Sequence, residues 1–237
     1  MVFVYNSAIT KKDNPMFWQE DIKEEHFTLP KTIQDAVFSI RSKVLPMDHA
    51  YLLSQGLLKH LPWLAEVNAG VFDISVADGN GWEQDESGLY YPSKRSKLNI
   101  RVPQEKLADI QELTGKTLDL GEYSIDIVKS LESKLMSDMQ IVFSKRVVCD
   151  KDSSEEEFLQ TAFNQLQALN IQPKKMMAGL QRNIHTPNGI IHTRSLMVAN
   201  LRKVESVTLQ EQGIGEHRLL GCGLFLPQKG IESVDAV

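Results

Sequence analysis

The sequence predicts an α+β fold in which the order strand, helix, strand, strand, helix, strand occurs twice along the chain. Three observations support this prediction. Apolar residues alternate as in half-buried strands in some segments, they recur with helical spacing in others, and turn-forming residues separate the segments. The order is that of a ferredoxin-like domain, so we expect two such domains in tandem.

The expected division of the chain follows from these segments. We predict an N-terminal extension at residues 1–32, a first ferredoxin-like domain at 33–137 and a second at 138–237. The extension mixes charged and aromatic residues without clear periodicity. We interpret it as a segment that either wraps the domain or stays mobile.

The first half begins with a predicted strand at residues 36–41, followed by a helix with Asp48 as its N-cap. Pro62 predicts a late kink or an end of this helix. Five apolar residues with helical spacing form the stripe that we expect to be buried: Ala50, Leu53, Leu57, Leu61 and Leu64.

The remaining elements of the first half are three strands and a helix. We predict strands at 70–76, 97–102 and 123–127, with a loop at 78–92 after the first of them. Pro103 is expected to open a helix that ends at Gly115 and points Leu107, Ile110 and Leu113 inward.

The second half repeats the order. We predict a strand at 139–143 and then an amphipathic helix that begins with a capping box of Ser153 and Glu156. Strands at 176–184 and 189–201 are joined by a turn in which Asn188-Gly189 is a hairpin signal. A short helix at 204–210 and a last strand at 224–226, ended by Pro227, complete the chain's second half.

A glycine-rich turn precedes the last strand. Two Gly-x-Gly pairs, formed by Gly213 with Gly215 and Gly221 with Gly223, bracket a segment that contains His217 and Arg218. Alternate glycines allow positive φ and close approach of the backbone, so that successive N–H groups can converge on an anion such as a phosphate. The alternative is a turn that merely feeds an edge strand.

Composition limits the possible classes of protein. The 237 residues are 42% hydrophobic, which is enough for a buried core. The two cysteines are too few for a disulfide framework. No apolar run approaches the length of a membrane span, and the N-terminus has no signal-peptide pattern, so we expect a cytoplasmic protein with no membrane contact.

The net charge of −5 counts against a generic nucleic-acid binder, because binding of phosphates usually requires an excess of basic residues. Residues 174–229, however, contain eight Lys and Arg against three Glu, so the C-terminal part of the chain is locally basic.

Two stretches, residues 36–64 and 213–225, resemble the repeat-processing endoribonucleases of type I CRISPR systems, which belong to the RAMP superfamily. The first stretch, which includes Leu45-Pro46-Met47-Asp48-His49-Ala50-Tyr51, looks most like the MYXAN-type branch of that family. Together with the tandem order of elements, the resemblance covers about residues 33–227.

The resemblance implies a double ferredoxin-like fold that binds the CRISPR repeat RNA, often as a hairpin, and retains the mature guide RNA. It implies cleavage of precursor CRISPR RNA without metal or other cofactor. In this reaction the ribose 2′-hydroxyl attacks the adjacent phosphate and leaves a 2′,3′-cyclic phosphate and a 5′-hydroxyl. Other subunits of a type I CRISPR effector complex are further partners that the resemblance implies.

The candidate catalytic residues are His49, His60 and the possible helper Tyr51, because histidine exchanges protons near neutral pH and the family commonly places its histidine on or beside the first helix. His49 is favoured over His60. The two lie eleven residues apart, about 16 Å along a helix, so they cannot share one phosphate.

Candidate RNA-binding residues are the turn residues Gly213, Gly215, His217, Arg218, Gly221 and Gly223, together with Arg182, Arg194, Lys94 and Arg95.

Two other readings remain open at the level of sequence. The first is a non-catalytic RNA-binding RAMP subunit of a CRISPR effector complex, in which the histidines have no chemical role. The second is a tandem ferredoxin-like protein that binds a metabolite or another protein. Cys222 is discounted as a nucleophile, because a small buried side chain explains it equally well.

Overall fold

A computed structural model describes residues 27–74 and 88–229 of the chain. Its first half contains one α-helix, α1 (Ala50–His60), and a mixture of long and very short strands. The strands in this half are β1 (Ile33–Arg41), β2 (Leu45–Pro46), β3 (Gly70–Val71), β4 (Leu89–Tyr90), β5 (Lys97–Pro103), β6 (Thr117–Asp119) and β7 (Ser124–Leu135).

The second half contains two α-helices and a four-stranded antiparallel sheet. The helices are α2 (Glu155–Ala168) and α3 (Lys203–Gln212). The strands are β8 (Val142–Val148), β9 (Lys175–Thr186), β10 (Gly189–Ala199) and β11 (Leu226–Pro227). Most of the predicted loop at 78–92, the end of the predicted strand at 70–76 and most of the N-terminal extension lie outside the described residues.

The strand order of both sheets is ferredoxin-like. In the first sheet the neighbours run β3, β5, β1, β7 and then β6, and in the second they run β11, β8, β10 and β9. When β6 is set aside, each sheet places its first strand in the centre beside its third and fourth, and every paired strand is antiparallel. The predicted fold class is therefore confirmed, whereas the exact domain boundaries stay a prediction.

Helix α1 forms because its apolar residues lie on one face. All five residues of the predicted stripe are buried, and the helix ends at His60, just before a 3₁₀ turn that begins at Pro62. The predicted N-cap is wrong. His49 occupies that position without a capping side chain, and the Asp48 carboxylate instead bonds to His185, 137 residues away.

The predicted helix after Pro103 is also wrong, since the segment forms two 3₁₀ turns, Gln104–Lys106 and Asp109–Leu113. Its apolar residues Leu107, Ile110 and Leu113 are spaced by three, which is the period of a 3₁₀ helix, where residues i and i+3 are eclipsed. Ile110 and Leu113 are fully buried as expected.

Three elements of the second half are shifted from their predicted positions. The capping box consists of Ser154 and Glu157, because the repeated serines and glutamates offer two registers and Ser153 bonds to Asp150. Strand β8 starts at Val142, since the residues before it hydrogen-bond to the end of β10 and to α3. The last strand begins at Leu226, because the carbonyl of Phe225 accepts a bond from Arg101.

The β9–β10 hairpin is confirmed, although its two turn residues are Pro187 and Asn188 and Gly189 is the first residue of β10. Strand β9 is an edge strand of the second sheet. The hairpin therefore presents one unpaired backbone edge to the rest of the molecule.

Two hydrophobic cores lie under the two sheets, and a buried arginine of the first half, Arg101, bonds to the second. The guanidinium of Arg101, which is 1% exposed, donates to both carboxylate oxygens of Asp35 at 2.7 and 3.0 Å. The same guanidinium donates to the carbonyls of Gln210 at 2.6 Å and Phe225 at 3.0 Å in the second half. Arg101 thus ties the first sheet to the segments on either side of the glycine-rich turn.

No helix among the described residues has the length and apolar character needed to cross a membrane.

Candidate functional site at the junction of the two halves

Three segments that are distant in sequence meet at the junction of the two halves. Ala50 at the start of α1, Ile184 near the end of β9 and Cys222 in the glycine-rich turn form one buried cluster. The polar neighbours of these residues along the chain are therefore brought to the same region. We define this region, from the start of α1 to the end of β9 and the glycine-rich turn, as the junction site.

His49 is buried in the junction site and has no free ring nitrogen. It is 4% exposed, Nδ1 lies 2.9 Å from the carbonyl oxygen of Pro46, and Nε2 accepts a bond from the backbone N–H of Ile74 at 3.2 Å. This pattern fixes a neutral imidazole with its proton on Nδ1. In this arrangement His49 holds two backbone segments together, and neither nitrogen is available for proton transfer to a ligand.

Tyr90 packs beside His49, with the two ring centroids 6.1 Å apart. Burial raises the pKa of Tyr90 to about 12, so its hydroxyl is protonated at neutral pH. The turn that follows exposes Lys94 and Arg95 and is closed by hydrogen bonds between Ser93 and Ser96. Tyr90 thereby anchors this basic turn on the α1 side of the junction site.

His185 is joined to Asp48 across the junction site. One carboxylate oxygen of Asp48 accepts the backbone N–H of His185 at 2.7 Å and its ring Nδ1–H at 2.8 Å. The carboxylate thus occupies the unpaired edge of β9. The side chain of His185 is 66% exposed.

A second ion pair crosses the junction site next to the glycine-rich turn. The guanidinium of Arg146 on β8 bonds to the carboxylate of Asp73, and both side chains are largely buried. Gly221 lies against this pair, because a Cβ there would be 3.6 Å from the Arg146 guanidinium and 3.2 Å from the carbonyl oxygen of Val71. A Cβ would thus be tight against Val71, and the φ of 81° is the stronger reason for a glycine at this position.

The predicted positive φ angles of the glycine-rich turn are confirmed at all four glycines. The two ends of the turn pack directly against each other. A Cβ on Gly213 would overlap the carbonyl oxygen of Gly223, and a Cβ on Gly223 would overlap the carbonyl oxygen of Ile214. Gly215 and His217 lie on its exposed rim, and their backbone N–H groups donate to no acceptor within the described ranges. The rim is thus the part of the turn that can offer N–H groups to an anion.

Arg218 does not extend from the turn as expected. Its guanidinium donates to the carbonyl oxygens of Gln212, Glu211 and Asn68, which satisfies the C-terminal end of α3. Burial, together with the nearby charge of Arg101, lowers the pKa of Arg218 to about 10, and the group stays protonated at neutral pH. In the structure these bonds give Arg218 a structural role, and its predicted contact with RNA stays a prediction.

Arg182 and Arg194 are not brought together. Arg182 pairs with Thr193, the neighbour of Arg194 on β10, so the two arginine side chains point to opposite faces of the hairpin. Arg194 lies over the ring of Phe158 on α2, with its guanidinium carbon 5.8 Å from the ring centroid. Arg182 is exposed and is the one of the two that remains available to a ligand.

The other candidate residues lie apart from the junction site or have no contact that defines a role. His60 is exposed at the far end of α1, next to the ion pair between Lys59 and Asp119. Tyr51 is half-buried in the first turn of α1. His60 and His49 lie at opposite ends of α1, and this separation agrees with the one predicted from the helical spacing.

Cys222 is fully buried in the cluster that joins the three segments. Burial raises the pKa of its thiol to about 12, so the thiolate is not formed at neutral pH. This agrees with its interpretation as a small core residue. Within the described ranges, no group of three or more His, Cys, Asp or Glu side chains could hold a metal ion.

Sequence reasoning missed the three polar pairs of the junction: Asp48 with His185, Arg146 with Asp73, and Arg101 with Asp35. The partners are separated by 66 to 137 residues, so no local pattern connects them. Arg101 itself occupies a polar position of the alternating strand 97–102, so the pattern predicts a solvent-facing side chain there.

Comparisons with known proteins place these features in a family. The family model described as "Cas6 Crispr" matches residues 35–230, which include both sheets and the junction site. The CRISPR-associated endonuclease Cas6 of Myxococcus xanthus (strain DK1622) is 30% identical over 200 residues, a match that covers 81% of this chain and 80% of that protein.

Solved structures show the same fold at low sequence identity. A Cas6-related protein from Pyrococcus furiosus superposes with a TM-score of 0.56 at 15% identity, covering 85% of this chain and 99% of that one. A CRISPR-associated Cas6 protein gives a TM-score of 0.55 at 11% identity, with 83% of this chain and all of that one covered. A RAMP protein described as binding different RNA substrates gives 0.50 at 12% identity, with coverage of 84% and 100%.

Proposed function

Because the chain belongs to the Cas6 family, we propose that it is an endoribonuclease that binds CRISPR repeat RNA and cuts precursor CRISPR RNA into guide units. The observation that carries this proposal is the match of the family model to residues 35–230. The similar Myxococcus protein is itself named an endonuclease, and it aligns over four fifths of both chains. The match therefore concerns the whole junction site and not a single motif.

The proposed reaction needs no metal ion. The 2′-hydroxyl of the RNA loses its proton and attacks the adjacent phosphorus, the bond from phosphorus to the 5′-oxygen breaks, and the products carry a 2′,3′-cyclic phosphate and a 5′-hydroxyl. The protein must accept the 2′-hydroxyl proton and stabilise the charge that develops on the phosphate oxygens. Both requirements are met by polar side chains and N–H groups placed beside one phosphate.

The proposed RNA path follows the exposed groups around the junction site. We assign phosphate contacts to the backbone N–H groups of Gly215 and His217 on the rim of the glycine-rich turn. Arg182 on the hairpin and the exposed turn of Lys94 and Arg95 supply positive charge on its other sides. These few contacts, on a chain of net charge −5, favour recognition of a defined RNA shape over general affinity for phosphate.

The test is incubation of the purified protein with the repeat RNA of the array encoded beside its gene, in EDTA, with mapping of the new ends on a denaturing gel. We expect one cut that leaves a 2′,3′-cyclic phosphate and a 5′-hydroxyl. A repeat that is bound tightly but stays intact with and without added Mg²⁺ would favour a non-catalytic RNA-binding subunit. Absence of both binding and cleavage would reject the proposal.

A further inference from the structure

The contact between Asp48 and His185 has the geometry of a carboxylate that orients an imidazole for proton transfer. Because Asp48 accepts the Nδ1–H of His185 at 2.8 Å, the neutral ring carries its lone pair on Nε2. Nε2 makes no hydrogen bond within the described parts of the chain, and the side chain is 66% exposed. The bond from Asp48 to the backbone N–H of the same residue, at 2.7 Å, fixes the strand that carries the ring.

We propose that His185 is the catalytic base of the RNA cleavage and that Asp48 is its positioning residue. This inference rests on the proposed function, since it assigns a residue to that reaction. It departs from the sequence-based candidates, which place the proton transfer on α1 itself. Here Asp48, two residues before α1, supplies the carboxylate, and the second half of the chain supplies the imidazole.

The environments of three other histidines, His49, His192 and His60, support this choice. Both ring nitrogens of His49 are bonded to backbone groups. His192, on the same hairpin, contacts the neutral side-chain amide of Asn183 at 3.0 Å and lacks a carboxylate partner. His60 lies at the opposite end of α1, about 16 Å from the junction site at 1.5 Å per residue. His185 is the histidine of this set that combines a carboxylate on one nitrogen with an exposed second nitrogen.

The position of His185 also suits an RNA substrate. Its neighbour Ile184 packs against Ala50 and Cys222, and the imidazole itself bonds to Asp48, so His185 lies beside the start of α1 near the point where the hairpin meets the glycine-rich turn. By the alternation of strand side chains, Arg182 lies on the face of β9 opposite to His185, so the two side chains would contact the RNA from different sides of the hairpin.

Nε2 of neutral His185 takes the proton of the 2′-hydroxyl while the 2′-oxygen forms a bond to phosphorus. The bond between phosphorus and the 5′-oxygen breaks, and the leaving oxygen takes a proton from water. The imidazolium, stabilised by the Asp48 carboxylate, then returns its proton to solvent.

The first experiment compares His185→Ala with the matched control His192→Ala on the repeat RNA under single-turnover conditions in EDTA. We expect His185→Ala to lower the cleavage rate by about 10²–10⁴-fold, which is the usual range for loss of a general base or acid. Binding of the repeat is expected to change by less than about threefold, and His192→Ala is expected to cleave within about threefold of wild type. Added imidazole should restore part of the rate to His185→Ala, in proportion to its concentration.

A second experiment separates positioning of the imidazole from support of the hairpin. Asp48→Asn is expected to lower the cleavage rate by about tenfold in the wild-type background and to have no further effect in the His185→Ala background. A purely structural Asp48 would lower the rate in both backgrounds, because its bond to the backbone N–H of residue 185 survives the alanine substitution.

The outcomes distinguish this inference from the proposed function. If the wild-type protein cuts the repeat and His185→Ala cuts it at the same rate, the inference is overturned and the function stands. A rate loss in His185→Ala that imidazole does not restore, accompanied by lost binding, also overturns it in favour of a role in RNA contact. If the wild-type protein does not cut the repeat, the proposed function fails, and the assignment of a base fails with it.

Discussion

Replacing Arg101 by methionine is expected to lower the free energy of unfolding by about 3–5 kcal/mol. The substitution leaves the Asp35 carboxylate, which is 9% exposed, without its charged partner. It also removes the donors to the carbonyls of Gln210 and Phe225, and with them one of the links between the two halves. Equilibrium unfolding in urea, monitored by circular dichroism, measures the change.

The matched control for this prediction is the double variant Arg101→Met with Asp35→Leu. Because it removes both charges, it should regain at least half of the stability that the single substitution loses. A single substitution that costs less than about 1 kcal/mol would show that the Asp35 carboxylate is neutralised in another way, and would contradict the role given to Arg101.

Replacing Gly223 by alanine is expected to prevent stable folding, with a loss above about 4 kcal/mol. The residue has a φ of 65°, and a Cβ at this position would overlap the carbonyl carbon and oxygen of Ile214. The glycine-rich turn cannot relax around the clash, because Gly223 also donates its N–H to the carbonyl of Arg146 at 2.7 Å. Soluble yield and the thermal unfolding midpoint report the effect.

Gly115→Ala separates the clash from the cost of the backbone conformation. Gly115 has a φ of 79°, but a Cβ there would have no atom within 4 Å. We therefore expect a loss of only about 1–2 kcal/mol. Equal losses for the two substitutions would contradict the close packing of the glycine-rich turn.

The sequence predicts those parts of the fold that depend on local pattern. The stripe of α1 was identifiable because five apolar residues return to one face of the helix, and the hairpin was identifiable because strand-like segments flank Asn188-Gly189. The positive φ of Gly213, Gly215, Gly221 and Gly223 followed from the same kind of reasoning. In each case the relevant neighbours lie within a few residues.

The candidate site was less predictable, because its partners are set by tertiary structure. A capping position was a reasonable expectation for Asp48, but the edge of β9 supplies a stronger set of donors. Arg218 was expected to face RNA, yet the open end of α3 and the carbonyl of Asn68, 150 residues away, take its donors. His49 was favoured by its place beside the helix, and no sequence pattern indicated that Pro46 and Ile74 would occupy its ring.

The proposed function requires that the RNA is cut by its own 2′-hydroxyl, in a site formed by both halves of the chain. The most direct test compares the repeat RNA with an otherwise identical RNA that carries a single 2′-deoxy nucleotide on the 5′ side of the mapped cut. We predict that the protein binds both RNAs with the same affinity and cuts only the one with the 2′-hydroxyl. Cleavage of the 2′-deoxy RNA at the same bond would contradict the account, since the attacking group would then come from water or from the protein.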